Sequence, residues 1–315
     1  MLKKSTFVVS LFAILFGCAG AAIADPTFIM VTHSPESDTY WAGVSKGLQQ
    51  AGKDLNVKVQ FRGTDSNLND PNQQRRNLEA AIAAKPDGII VTDPTPASLN
   101  ASIKKASDAG IPLVLVNQGG DQVEKVGALA FVGDDPGNQG AVGAAQFNAL
   151  GSKHALIITT PTGAIPFVDA RTNGFKKTFS GVSSLAEIPL TDISDSNRIK
   201  TIAETQLQKD PSIDAVFSIG SCCIAAITQV RTDLGDRGKA MHWGTIDVTT
   251  GAMQSLKAHE LDFALDSQQY AQGYYPVVML ALYIRQAIQP AAPTFITGPA
   301  VITPDNVAKL QAVAR

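Results

Sequence analysis

The amino-acid sequence predicts an α/β protein made of two lobes, each a parallel sheet flanked by helices. Short apolar runs alternate with helical stretches along almost the whole chain, which is typical of parallel sheets covered on both faces. These runs number about ten, more than the five or six strands of an ordinary doubly wound sheet. The chain of 315 residues is also longer than one compact core usually holds.

The first half of the chain opens with a strand predicted at 28–31. A polar loop and a helix follow, and the apolar residues of this helix recur at helical spacing. Asp70-Pro71 places a cap residue before a proline at the first helical position, which predicts a second helix. Further strands are predicted at 57–61, 88–91, 111–116 and 128–132, and a further helix at 98–109.

The second half repeats this rhythm with different residues, so two lobes of similar construction are expected. Strands are predicted at 156–159, 185–188, 215–219, 242–246 and 263–265. Helices are predicted at 139–150, 168–179, 197–208, 224–233, 251–258 and 271–288. The tail at 290–299 is rich in proline, and a last helix is predicted after Pro304.

The first 24 residues have the features of a secretory signal peptide. Lys3 and Lys4 precede an uncharged apolar stretch at 7–17, and small residues at 22–24 predict cleavage after Ala24. The mature protein is therefore expected in the periplasm. The alternative is a lipoprotein anchored at Cys18, because residues 15–18 resemble a lipoprotein box. The soluble form is favoured, since the bulky Phe16 suits that motif poorly.

The composition argues against several classes of function. The net charge is −2 and no basic patch stands out, which disfavours nucleic acid or an anionic membrane surface as the main partner. Four scattered histidines give no zinc-ligand spacing. The chain has neither a Gly-x-Ser-x-Gly elbow nor a Walker loop. We therefore expect no catalytic residue, no metal and no cofactor.

Cys222 and Cys223 are adjacent, and they are the only cysteines left once the signal peptide is removed. They are either two buried thiols or a vicinal disulfide. The thiols are favoured, because neighbouring cysteines can bond only with a distorted peptide. With so few cysteines, no disulfide framework is expected to hold the fold.

Polar and aromatic side chains follow nearly every predicted strand. In parallel sheets these strand ends share one edge, and two facing edges enclose a cleft suited to an uncharged polyol. Structural roles without a ligand are the alternative for each residue. The aspartates could cap helices, the amides could be turn residues, and the arginine could lie on the surface. The candidate binding residues are Ser34, Asp38, Tyr40, Trp41, Asp93, Asn117, Gln118, Arg171, Ser221, Asp247 and Gln268.

Several motifs resemble those of type I periplasmic solute-binding proteins of the ribose and galactose kind, which serve ABC sugar importers. The motifs are KPDGIIVTDP at 85–94, AGIPLVLVN at 109–117, FVGDDPGNQG at 131–140, DARTNGF at 169–175, DAVFSIG at 214–220 and GTID at 244–247. The resemblance extends from Asp25 to the C-terminus. It implies two Rossmann-like lobes joined by three crossings, comprising 25–131 plus 268–297 and 132–267 plus 298–315.

The resemblance also implies a function and roles for residues. A monosaccharide or sugar alcohol would bind between the lobes and pass to an ABC permease in the inner membrane, and the protein would be a monomer. Tyr40 and Trp41 would stack on the ligand. Polar contacts would come from Ser34, Asp38, Asp93, Arg171, Asp247 and either Ser267 or Gln268.

Two departures from the family pattern bear on the ligand. Asn117-Gln118 stands where many sugar binders have Asp-Arg, and Ser221-Cys222-Cys223 occupies a region where an asparagine is common. A less common polyol is therefore expected. The alternatives are a receptor of the same fold for a chemotaxis or quorum signal and, with less support, an exported enzyme acting on glycans.

Overall fold

The computed structural model describes residues 25–65 and 70–311. The predicted signal peptide, its cleavage site and the alternative anchor at Cys18 lie outside these residues. In the described ranges no helix is long and apolar enough to cross a membrane. The strands are β1 (Thr27–Val31), β2 (Lys58–Arg62), β3 (Gly88–Val91), β4 (Leu113–Asn117), β5 (Ala130–Gly133), β6 (His154–Thr159), β7 (Val182–Glu187), β8 (Ala215–Ser218), β9 (His242–Ile246), β10 (Phe263–Asp266), β11 (Thr294–Ile296) and β12 (Ala300–Ile302).

The helices alternate with these strands, as the sequence predicts. They are α1 (Thr39–Leu55), α2 (Pro71–Ala83), α3 (Pro96–Asp108), α4 (Val123–Val126), α5 (Pro136–Leu150), α6 (Pro166–Thr178), α7 (Ser196–Lys209), α8 (Ile224–Asp233), α9 (Asp236–Ala240), α10 (Thr250–Lys257), α11 (Gln269–Gln286) and α12 (Val307–Gln311). The Asp70 side chain caps α2 through the backbone N–H groups of Asn72 and Gln73, as predicted.

Two six-stranded sheets confirm the predicted fold class. The strand order is β11-β5-β4-β3-β1-β2 in the first sheet and β12-β10-β9-β8-β6-β7 in the second. All pairings are parallel except that of β12, which runs antiparallel to β10. The chain passes between the sheets three times, after β5, after β10 and between β11 and β12. The residues at which the lobes divide stay a prediction.

The strands β11 and β12 are the main departure from the apolar pattern, which predicts neither of them. Each has only three residues and lies beside prolines at a sheet edge, so its identity as a strand depends on its hydrogen-bonding partner. The prediction of parallel sheets is wrong for β12. Strand β12 begins at the third crossing, beside the carboxyl end of β10. The first residue of β12, Ala300, therefore pairs with the last residue of β10, Asp266, and the two strands run in opposite directions.

Each sheet separates two apolar clusters, because alternate side chains of a strand point to opposite faces. In β1, Phe28 and Met30 pack with residues of α1 and α11, whereas Ile29 and Val31 pack with residues of α2 and α3. The second sheet is covered in the same way. Burial on both faces explains why the central strands read as continuous apolar runs.

The helices α5 and α6 touch through their backbones at glycines. A Cβ atom at Gly140 would lie 1.9 Å from the carbonyl oxygen of Arg171, and one at Gly174 would lie 2.0 Å from the carbonyl oxygen of Gly137. Backbone atoms cannot rotate away as side chains can. This contact therefore fixes the position of α6 and of the arginine that it carries.

We predict that Gly140→Ala lowers the free energy of unfolding by about 1–3 kcal/mol, because the added methyl must force α5 and α6 apart. Urea unfolding monitored by circular dichroism measures the change. The control is Gly251→Ala, where the nearest atom to the added Cβ is 3.7 Å away. Equal unfolding midpoints for the two variants would contradict this account of the packing.

Candidate functional site

A cavity of about 160 Å³ lies between the two lobes. It is smaller than the roughly 300–1,000 Å³ typical of pockets for drug-sized ligands, which indicates a small ligand. The first lobe contributes loops that follow β1 and β4, and the second contributes loops that follow β6, β7, β8 and β9. Nine of the eleven candidate residues line it: Ser34, Asp38, Tyr40, Trp41, Asn117, Gln118, Arg171, Ser221 and Asp247.

The other two candidates, Asp93 and Gln268, lie elsewhere. Asp93 lines a neighbouring cavity between the lobes, and Gln118 and Phe167 border both cavities. Gln268 lines neither cavity; its backbone is left-handed, with φ of 54°, and its N–H donates to Asp266 Oδ1. Ligand contact by these two residues stays a prediction.

Aromatic rings from both lobes border the cavity. The first-lobe rings meet edge to face, with His33 and Trp41 centroids 5.2 Å apart and those of Tyr40 and Trp41 5.4 Å apart. The second lobe contributes Phe167, whose ring centroid lies 6.0 Å from that of His33. Stacking of a ligand on Tyr40 or Trp41 stays a prediction, since both rings are largely buried in the first-lobe core.

Phe167 is a cavity residue that the sequence reasoning missed. The guanidinium carbon of Arg171 lies 5.2 Å from the centre of its ring, a cation–π geometry. The two residues are four apart on α6, the spacing at which helical side chains meet. That spacing is the signal that would have identified Phe167.

Asp38 combines the two alternatives proposed for it. Its Oδ1 accepts hydrogen bonds from the N–H groups of Tyr40, at 2.9 Å, and Trp41, at 3.2 Å, so it caps α1. The residue also lines the cavity. The cap anchors the start of α1, and with it the two aromatic residues, at the edge of the cleft.

Arg171 and Asp247 bring opposite charges to the second-lobe wall. Arg171 donates from Nε to Gln139 Oε1 at 2.7 Å and from Nη1 to the Ile219 carbonyl at 3.0 Å. The Asp247 carboxylate accepts from Ser221 N–H and from Ser267 Oγ, each at 3.2 Å. Burial raises the pKa of Asp247, while the positive charge of Arg171 opposes that rise.

His33 adds a neutral group to the cavity. Burial, together with the smaller effect of the nearby Arg171 charge, lowers its pKa to about 3, so the ring is uncharged at neutral pH. Its Nδ1 lies 3.3 Å from Thr92 Oγ1. The cavity therefore presents one arginine, carboxylates, amides and neutral rings, a set suited to an uncharged ligand with many hydroxyls.

Two buried glutamines connect this cavity to the chain crossings. On α11, Gln272 accepts at Oε1 from the Tyr40 hydroxyl, at 2.7 Å, and from Asn117 Nδ2, at 3.4 Å. Its Nε2 donates to the Ser267 carbonyl at 2.9 Å and to Thr297 Oγ1 at 3.1 Å. Gln272 thus joins the first-lobe wall to the second and third crossings.

Gln139 plays the corresponding part in the second lobe. Its Nε2 donates to Asp134 Oδ2 at 2.7 Å and to Ser267 Oγ at 2.9 Å. Its Oε1 accepts the hydrogen bond from Arg171 Nε. Thr297 Oγ1 lies 3.3 Å from Asp134 Oδ1, which closes the network across the crossings. Neither glutamine was predicted, because a single glutamine in a helix carries no sequence signal.

We predict that Gln139→Leu lowers the free energy of unfolding by about 1–3 kcal/mol or more, since Asp134 and Arg171 would each lose a buried partner. Chemical denaturation measures the loss. The control is Gln50→Leu, because Gln50 is exposed and its side-chain amide donates to Asp54 on the same helix. That change should stay within about 0.5 kcal/mol. Similar losses in both variants would mean that the network adds no stability.

Asp93 makes stability depend on pH. Its two carboxylate oxygens are buried without a hydrogen-bond partner among the described residues. Burial, with a smaller contribution from Asp121, raises its pKa from 3.8 to about 7. The folded protein therefore binds this proton more tightly than the unfolded chain does. The resulting stability is complete below pH 3.8 and is lost as the pH rises through 7.

We predict that Asp93→Asn raises the free energy of unfolding by about 1–3 kcal/mol at pH 8, because the buried negative charge is removed. At pH 5 the wild-type carboxyl is protonated in the folded state but still ionised in the unfolded chain, so the benefit should fall to less than half of its value at pH 8. Urea titrations at both pH values measure it, with the fully exposed Asp236→Asn as control. A benefit equal at both pH values would contradict the titration of Asp93.

Known proteins resemble this chain over most of its length. The xylose/arabinose-binding protein of Sulfolobus acidocaldarius is 23% identical over 297 residues, 90% of this chain and 72% of that protein. The D-allose-binding periplasmic protein of Escherichia coli is 26% identical over 219 residues, 66% of this chain and 69% of that protein. Both relatives are named as binding proteins. This similarity does not favour the two alternatives for this chain, a signal receptor and a glycan-acting enzyme.

Solved structures confirm the fold. The carbohydrate transporter of Acidothermus cellulolyticus in complex with myo-inositol superimposes with a TM-score of 0.82 and is 30% identical. The match covers 92% of this chain and 98% of that one. The family model described as the periplasmic binding protein domain matches residues 28–287. This chain therefore belongs to the periplasmic binding protein family.

Proposed function

We propose that this protein captures a monosaccharide or cyclic sugar alcohol in the periplasm and delivers it to an ABC permease in the inner membrane. The observation that carries the proposal is the small cavity between the lobes, which combines buried hydrogen-bonding groups with aromatic rings. Such a site suits a ligand whose hydroxyls need partners and whose C–H faces can lie on rings.

The proposed roles of the side chains follow from their chemistry. Asp247 accepts hydrogen bonds from ligand hydroxyls, and Arg171 donates to them. Asn117 and Gln118, with both donors and acceptors, orient the ligand from the first lobe. Trp41 and Phe167 provide the apolar surfaces on either side of the cleft. Because both lobes contribute, binding would favour the closed arrangement of the two lobes.

We infer that a cyclic polyol such as myo-inositol is the first ligand to test. The related structure from Acidothermus cellulolyticus is named as a complex with myo-inositol, and other relatives are named for xylose, arabinose and allose. The departure at Asn117-Gln118, which replaces an arginine by an amide, also points away from an ordinary sugar binder. A thermal-shift panel of myo-inositol, xylose, arabinose and allose ranks these candidates through the rise in melting temperature.

Several finer points belong to the same proposal. The protein is exported with cleavage after Ala24 and acts as a monomer. One lobe comprises 25–131 and 268–297, and the other comprises 132–267 and 298–315. The three crossings between them act as the hinge, which is supported by the buried network around Ser267 and Thr297.

We predict that Asp247→Asn weakens myo-inositol binding by about 2 kcal/mol or more, roughly thirtyfold in Kd, because a charged acceptor in the cavity is lost. Asparagine tolerates the left-handed backbone at this position, where φ is 77°, so the loop should keep its shape. Isothermal titration calorimetry measures the affinity, with Asp236→Asn as the exposed control. Unchanged affinity would remove Asp247 from the site.

The absence of any thermal shift with all four compounds would overturn the proposed ligand class.

A further inference from the structure

The two adjacent cysteines lie in the wall of the ligand cavity. Their Sγ atoms are 3.0 Å apart, and both residues line the cavity. Cys222 is exposed and Cys223 is buried. They belong to a single 3-10 turn, Ser221–Cys223, that leads directly into α8. The proposed binding of a polyol gives these thiols no role.

The same turn holds a carboxylate of the site. The backbone N–H of Ser221 donates to Asp247 Oδ2 at 3.2 Å, one residue before the cysteine pair. Adjacent Cα atoms lie about 3.8 Å apart across a trans peptide, whereas disulfides usually join Cα atoms about 4.4–6.8 Å apart. A bond between these sulfurs must therefore distort the turn and disturb the support of Asp247.

We propose that Cys222 and Cys223 are a reversible redox site that forms a vicinal disulfide and thereby weakens ligand binding. Each thiol loses one hydrogen and one S–S bond forms, while a disulfide-containing oxidant takes up the two electrons and two protons and becomes two thiols. Exported proteins meet such oxidants. A bond strained by the short sequence separation is easily reduced again, which is the property of regulatory disulfides.

The surroundings of the pair favour the dithiol as the resting form. The hydrogen bond between the two sulfurs and the nearby carboxylates of Asp247 and Asp38 raise the pKa of the Cys222 thiol. The thiolate needed for exchange is therefore scarce at neutral pH, and oxidation is slow. A ligand in the cavity should slow it further by covering the pair.

The test uses the mature protein and diamide, a diazene that removes two hydrogens from a dithiol. Intact mass spectrometry should show a loss of about 2 Da and no free thiol, both reversed by dithiothreitol. Myo-inositol should delay this loss. Affinity for myo-inositol, compared before and after diamide, should fall at least about tenfold. In Cys222→Ser no intramolecular disulfide can form, so its affinity ratio before and after treatment should stay near one.

A second readout does not depend on the ligand. Hydrogen exchange of the peptide that contains Ser221 should become faster after oxidation, because its N–H bond to Asp247 is disturbed. This inference rests on the proposed function only for its effect on affinity. If the untreated protein fails to bind myo-inositol, the choice of myo-inositol as ligand fails, while mass and exchange still report on the disulfide. Retention of both thiols, or exchange and affinity unchanged by oxidation, would overturn the redox site.

Discussion

A buried hydrogen-bond network at the three chain crossings is the interaction on which the site depends. Ser267 and Thr297 lie at its centre, and Gln139 and Gln272 reach them from opposite lobes. Both glutamines are almost fully buried, so every polar atom left unpaired there would be costly. Because each glutamine also holds cavity residues, the crossings and the two walls of the cavity form one connected structure.

The two lobes reach this arrangement by similar means. In each, a helix pair packs backbone to backbone at glycines, α1 with α11 and α5 with α6. One pair carries Trp41 and Gln272, and the other carries Arg171 and Gln139. The glycine contacts set the spacing of the helices, and the network sets the orientation of their polar side chains. The scaffold itself therefore holds the aromatic and charged groups that the proposal assigns to the ligand.

The sequence predicted the parts of this structure that depend on local pattern. Continuous apolar runs located the central strands, Asp70-Pro71 located a helix start, and strand ends located nine residues of the cavity wall. The rest depends on tertiary contact. The short edge strands β11 and β12 exist because of their partners, and the roles of Gln139 and Gln272 arise only when three distant segments meet. Phe167 lay between these cases, since its spacing from Arg171 was visible in the sequence.

The most direct test of the account is a crystal structure of the protein grown with saturating myo-inositol. The account predicts the ring between Trp41 and Phe167, with its hydroxyls within hydrogen-bond distance of Asp247 and Arg171, and with the bonds from Gln139 and Gln272 to the crossings intact. Ligand density outside this cavity, or an empty cavity under saturating conditions, would contradict it.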